Sequence, residues 1–201
     1  MSTARDLFLI VMDAKPEHGV GQGDLSLALA GAELIDLIGG GAVTVDGDRI
    51  VPGWPPTPDD RLLGEAAARL TREPPYELIE DWLWRRGRDL SAAYQAALEE
   101  EGELTRKRSG RLSFGSERVE PVDTPSHRRA ADRWQDKEPA LTGLASAVGI
   151  DGGGPEGEPG GNDEAVTTVL AAVHDAVMEL EAVRQRRTIE NAAFANIWRA
   201  P

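Results

Sequence analysis

Apolar residues recur along this chain at spacings that are mostly helical. Leu7, Phe8, Leu9, Ile10, Val11 and Met12 form an unbroken run, which its length leaves open between a buried strand and the start of a helix. Leu25, Leu29, Leu34, Ile35, Leu37 and Ile38 follow a 3.6-residue period, so a helix is predicted over 25–38. Asp24 is its expected N-cap, and the glycines at 39–41 stop it. A further helix is predicted after Thr57 and Pro58, with Leu62, Leu63, Ala66, Ala67 and Leu70 inward. Pro74 ends it, and Pro75 is expected to open the next, whose core stripe is Leu78, Ile79, Trp82 and Leu83. Leu90, Ala93, Tyr94, Ala97 and Leu98 make another, closed by Gly102.

Two stretches alternate instead. Residues 43–51 place Asp46-Gly47 between β-formers, the signal of a tight hairpin turn. Residues 104–114 read as a second hairpin turning at Ser109-Gly110. Thr124 and Pro125 cap a helix reaching Trp134, and 141–148 is a short apolar helix. Residues 151–163 contain six glycines and two prolines, the composition of a linker without a core. Val166, Val169, Leu170, Val173, Val177 and Leu180 then mark a long helix over about 163–187. The fold class expected is mainly α: a compact helical domain with two β-hairpins, one of them projecting. Residues 1–148 form that domain, 149–163 the linker, and 164–201 a C-terminal helix packing back on the same domain.

Composition narrows the function. The 201 residues carry a net charge of −13, which disfavours nucleic acid because the phosphate backbone repels such a chain. A helix followed by a hairpin occurs twice, as in winged helices, and the same charge argues against that reading. There is no cysteine, which removes disulfides, thiolate metal sites and thiol nucleophiles and fits a cytoplasmic location. Neither a signal peptide nor an apolar run long enough to span a bilayer stands out. Peripheral contact with the inner face of a membrane stays open.

Charge is uneven. Residues 85–134 hold 11 of the 22 Lys and Arg side chains, ten of them in three groups. Arg85, Arg86 and Arg88 stand at a helix junction, Arg106, Lys107, Arg108 and Arg111 on the second hairpin, and Arg128, Arg129 and Arg133 on the following helix. Guanidinium forks bind phosphate bidentately, so Arg85, Arg86, Arg88 and Arg111 are the candidate headgroup contacts. The opposing reading pairs them with local glutamates. Trp54, in a proline-rich loop, is the candidate membrane contact; Phe114 and Trp134 read as anchors. The Gly19-x-Gly21-x-Gly23 loop has Asp24 where a dinucleotide site has its third glycine, so it reads as a turn. The scattered histidines His18, His127 and His174 lack ligand spacing, no serine sits in a nucleophile elbow, and the acids of the glycine linker lack calcium-loop spacing. No cofactor, no metal and no catalytic residue is expected.

Four blocks carry a family resemblance: Asp6 to Ile10; Ala28 to Leu37 with the first hairpin; Leu62-Leu63 through Pro74-Pro75 to Asp81-Trp82-Leu83; and Leu98 to Leu104 with the second hairpin. Over residues 5–135 the chain resembles the Golgi phosphoprotein 3 family in its compact bacterial form. That resemblance implies a mostly helical domain attached peripherally to membranes through phosphatidylinositol 4-phosphate, and in eukaryotes an adaptor that retains glycosyltransferases. The family's headgroup site has a tryptophan before the first core helix, an arginine within it, and two arginines three apart on a later helix. These positions fall on Gly21, Ala30, and Arg88 with Ser91; Arg85 and Arg88 offer the same spacing one turn earlier. The functional expectation is a non-enzymatic anionic-lipid-binding module, with a soluble protein-interaction module of the same fold as the alternative. The partners expected are a phosphoinositide-like headgroup or a protein. Self-association would run through the second hairpin.

Overall fold

The computed structural model describes residues 2–14, 19–54, 60–108, 117–150 and 163–197. Among them the chain is mainly helical, with two antiparallel hairpins. The organising element is α2 (Gln22–Gly39), which is apolar on nearly every side: from Leu25 to Leu37 only Asp36 is not buried. A helix without a polar face must be central, and α1 (Thr3–Ala14), α3 (Arg61–Ala68), α4 (Ile79–Arg86), α5 (Leu90–Glu100), α7 (Pro139–Ala147) and α8 (Glu164–Ile197) all pack against it. The run at residues 7–12 is thus helical, in α1, and Leu7, Phe8 and Leu9 are buried in the core. α6 (Pro125–Gln135) lies on α1, its start capped by Thr124 as expected.

Polar residues inside this core join helices. Asp36 of α2 caps α1, accepting from the Thr3 amide at 2.7 and 3.0 Å. Asp6 is fully buried and takes Arg133 at 2.6 Å and Arg129 at 3.1 Å, which ties α1 to α6. Trp82, also fully buried, donates its indole N–H to the Ala30 carbonyl at 3.2 Å. Truncating such a residue would cost on the order of 3–5 kcal/mol. At Gly31 α8 packs tightly on α2: a Cβ there would overlap Val173 of α8.

Several boundaries differ from the sequence reading. Gly21, not Asp24, is the N-cap of α2, and the Asp24 side chain turns to Arg184 instead. α3 is capped by Asp60, which accepts from the Leu63 amide at 3.0 Å; the expected cap, Thr57 with Pro58, lies outside the described residues. Pro75 does not open α4. The Pro74–Pro75 bond is cis, and the chain stays extended to Leu78 because Glu77 and Ile79 bond the first hairpin. The Ile50 amide donates to the Glu77 carbonyl, and Ile79 to Asp48, both at 2.9 Å. That first hairpin, β1 (Val43–Asp46) with β2 (Arg49–Pro52), forms as predicted, but Asp46 pairs with Arg49, so the turn residues are Gly47 and Asp48, one position beyond the expected Asp46-Gly47, with Gly47 at a φ of 60°.

The second hairpin pairs β3 (Leu104–Arg108) with β4 (Glu117–Pro121), Arg108 opposite Glu117. The partner strand begins at Glu117, beyond the expected end of the hairpin at residue 114, and the expected turn at Ser109-Gly110 lies outside the described residues. The residues between, Arg111 and Phe114 included, lie outside the described set, as do those of the glycine-rich stretch from 151 to 162. α8 runs to Ile197, ten residues beyond the predicted end, with Val169, Leu170, Val173 and Ala176 buried against the core and the surface from Gln185 to Asn191 exposed.

Candidate functional site

The basic segment does not act as one set. Arg86 ends α4, and the helix aims it inward, where it is only 4% exposed. Its Nε and Nη2 donate to the two oxygens of Glu33 on α2, each at 2.7 Å, and Nη2 also reaches the Leu62 carbonyl at 3.1 Å. Tyr94 of α5 donates its hydroxyl to Glu33 at 3.1 Å. Burial pushes the Glu33 carboxyl up, against the pull of Arg86 and Tyr94. Burial and the adjacent Glu33 also raise the Tyr94 phenol well above its ordinary value. This is a buried polar hub joining four helices, and it leaves Arg86 facing away from solvent.

Arg85 lies on the outer face. It forks onto Glu77 at 2.6 and 2.7 Å, reaches the Arg69 carbonyl at 3.2 Å, and lies 5.2 Å from the centre of the Trp82 ring. Glu77 holds its pKa above the ordinary arginine value. Elsewhere, Arg106 pairs with Glu99, Lys107 with Glu120, and Arg128 with Asp123. Arg129 and Arg133 are taken by Asp6, although Arg129 Nε is buried with no acceptor. Arg111 and the side chain of Arg108 lie outside the described residues.

Arg88 differs. It is exposed and, alone among the described guanidinium groups of residues 85–133, has no hydrogen-bond or ion-pair partner. Local geometry explains its placement. Gly87 lets the end of α4 press on α2, since a Cβ there would meet the Leu83 carbonyl at 2.6 Å and the Ser26 carbonyl at 3.3 Å. Asp89 then takes the left-handed conformation at a φ of 53°, and the Ser91 amide donates to Ser26 Oγ at 3.0 Å. Between these fixed points Arg88 lines a cleft of about 350 Å³. Gln22 and Gly23 from the first turn of α2 form one wall, Ser26, Asp89 and Ser91 add polar groups, and Leu27, Trp84 and Leu180 supply an apolar side. The first amides of α2 carry no helical partner and bring partial positive charge.

Arg184 of α8 lies behind Gly23, a lining residue of the cleft, without lining it itself. One of its nitrogens bonds both Asp24 oxygens, at 2.7 and 2.8 Å, and that carboxylate raises its pKa. Its Nη2 lies 3.0 Å from where a Cβ of Gly23 would stand. The sequence reading missed this pair, for Arg184 is 160 residues from Asp24. The Gly21-x-Gly23 spacing was its one local trace: these glycines are packed under a guanidinium, not merely a turn. It also missed the hub, although Glu33 amid the apolar residues of α2 was a visible anomaly.

The structure brings Arg88 and Ser91 together in the cleft, with Gly21 capping the adjoining helix, whereas Ala30 is fully buried in the core. Trp54, 92% exposed, follows β2, and Trp134 is half-buried against the core. A second depression of about 240 Å³ lies between the first hairpin, α4 and α8, where Asp48, Glu80, Asp175 and Glu179 surround Leu78, Ile79, Ala172 and Ala176. Among the described residues no group of three potential metal ligands forms a site, and no helix is long and apolar enough to cross a membrane. No curated protein matches the chain significantly. The family model of Golgi phosphoprotein 3 matches residues 4–191, from the first turn of α1 into the last turns of α8.

Proposed function

The chain belongs to the Golgi phosphoprotein 3 family, and on that premise we propose that it is a non-catalytic peripheral membrane module that holds an anionic, phosphoinositide-like headgroup in the Arg88 cleft. The observation that carries this reading is the unpaired Arg88 guanidinium beside the free amides of α2. A helix N-terminus and an arginine fork both favour phosphate oxygens. Two of the positions that correspond to the family's headgroup residues, Arg88 and Ser91, line this cleft. The apolar side formed by Leu27, Trp84 and Leu180 suits the glycerol and acyl part of a lipid. Trp54, exposed on its loop, is the proposed membrane contact.

The site is reduced relative to the earlier expectation. Arg86 serves the core and Arg85 serves Glu77, so Arg88 is left as the principal cation. Arg111 keeps its place as a proposed contact from outside the described residues. The test is co-sedimentation of the full chain with phosphatidylcholine vesicles, with and without phosphatidylinositol 4-phosphate or phosphatidylserine. Wild type pellets with the anionic vesicles, and Arg88→Ala loses about fivefold in affinity, one basic contact being worth about 1 kcal/mol. Equal binding to neutral vesicles, or an Arg88→Ala variant that binds like wild type, refutes the assignment.

The depression ringed by Asp48, Glu80, Asp175 and Glu179 over an apolar floor favours the second reading, a protein-interaction module. A pull-down in which a partner is lost on charge reversal of Asp175 and Glu179, without any vesicle binding, would favour it.

A further inference from the structure

We propose that Asp24 is a built-in counter-anion of the headgroup cleft: it holds Arg184, and an anionic ligand binds by taking that guanidinium over. The inference rests on the headgroup reading of the cleft and adds a residue that sets how strongly the cleft attracts anions. Asp24 stands in the first turn of α2, where a bound phosphate would also gain from the unpaired amides. Its carboxylate folds back over Gly21, so that a Cβ on Gly21 would collide with it. Both oxygens hold Arg184 Nη1, at 2.7 and 2.8 Å. The guanidinium lies against Gly23, a wall residue of the cleft, and Leu180, one turn before Arg184 on α8, lines the same cleft. The glycines at 21 and 23 thereby acquire a role, since they admit the ion pair to the mouth of the cleft.

The charges make the competition consequential. Arg88 and Arg184 bring two positive charges, and Asp24, Asp89 and Glu181, which lies 3.6 Å from Arg184, bring three negative ones, so the cleft and its surroundings carry no surplus of positive charge. A multiply charged phosphate oxyanion can outbid a single carboxylate for Arg184, whereas a weak anion cannot. Asp24 is therefore a specificity-determining residue, and neutralising it broadens and strengthens anion binding.

The experiment measures vesicle co-sedimentation of the full-length chain for wild type, Asp24→Asn, Arg184→Ala and the double variant, with circular dichroism confirming that each is folded. Asp24→Asn binds anionic vesicles about fivefold more tightly, the worth of one freed arginine. The same substitution in the Arg184→Ala background gains less than twofold. Equal gains in the two backgrounds mean that Asp24 acts only through overall charge, and they overturn the proposal. Wild-type binding without any gain in Asp24→Asn overturns it and leaves the headgroup reading intact; absence of binding by both proteins overturns both. A parallel titration with a soluble inositol phosphate separates the sources of the anion. A gain there as well as on vesicles assigns the site to the phosphate itself, and a gain on vesicles alone assigns it to the lipid.

Discussion

Replacing Arg86 by methionine removes a guanidinium that is 4% exposed while leaving its partner Glu33 fully buried. Two hydrogen bonds of 2.7 Å to that carboxylate are lost, and only the Tyr94 hydroxyl at 3.1 Å remains to satisfy it. Breaking a buried pair from one side costs about 3–5 kcal/mol, because the surviving charge keeps its desolvation penalty. Domains of this size hold about 5–15 kcal/mol in total and lose about 2–4 °C of Tm per kcal/mol. Arg86→Met is therefore expected to lower Tm by about 6–20 °C, followed by far-UV circular dichroism on heating and by urea titration. Removing the whole hub is a different perturbation. Glu33→Leu with Arg86→Met and Tyr94→Phe leaves no orphaned polar side chain, and most of the stability returns. The triple variant also keeps wild-type vesicle binding, since Arg88 is untouched. An Arg86→Met protein within about 1 kcal/mol of wild type, with weakened vesicle binding, would show that Arg86 serves the surface, and the reasoning from burial would fail.

Two further outcomes follow from packing and charge. Gly31→Ala overpacks the contact between α2 and Val173 of α8, at a cost of about 1–3 kcal/mol that a helix-propensity gain of about 1 kcal/mol only partly offsets. In a Val173→Ala background the same change becomes neutral or stabilising; an equal loss in both backgrounds refutes the contact. The Glu101 carboxyl is held below its ordinary 4.5 by a hydrogen bond from Arg5. Its folded value is thus lower than its unfolded one, so its small, solvent-screened contribution is present above about pH 4.5 and fades as pH falls through the depressed value. Glu101→Gln should differ in stability from wild type near neutrality and converge with it in acid; a gap independent of pH would count against the pairing.

The helices were legible because their stripes are local facts. The apolar residues of α2, the Thr124-Pro125 start of α6 and the existence of the first hairpin declare themselves within a few residues, through periodicity and backbone preference. The charge census likewise marked residues 85–134 as the basic part of the chain, and the order of blocks pointed to the family whose model matches residues 4–191. The direction in which each arginine points was not local. Arg85, Arg86 and Arg88 are near neighbours in sequence, yet one lies on Glu77, one in the core on Glu33, and one in an open cleft. A helical turn rotates adjacent side chains by about 100°, and which face is core depends on where α2 lies. Arg184 meets Asp24 only because α8 packs along α2 and carries it back there. Sequence spacing determined which residues could be helical and which segment was basic. Packing decided which charges of that segment were neutralised and left Arg88 facing the cleft, because ion pairing depends on distances in space that the order of residues does not contain.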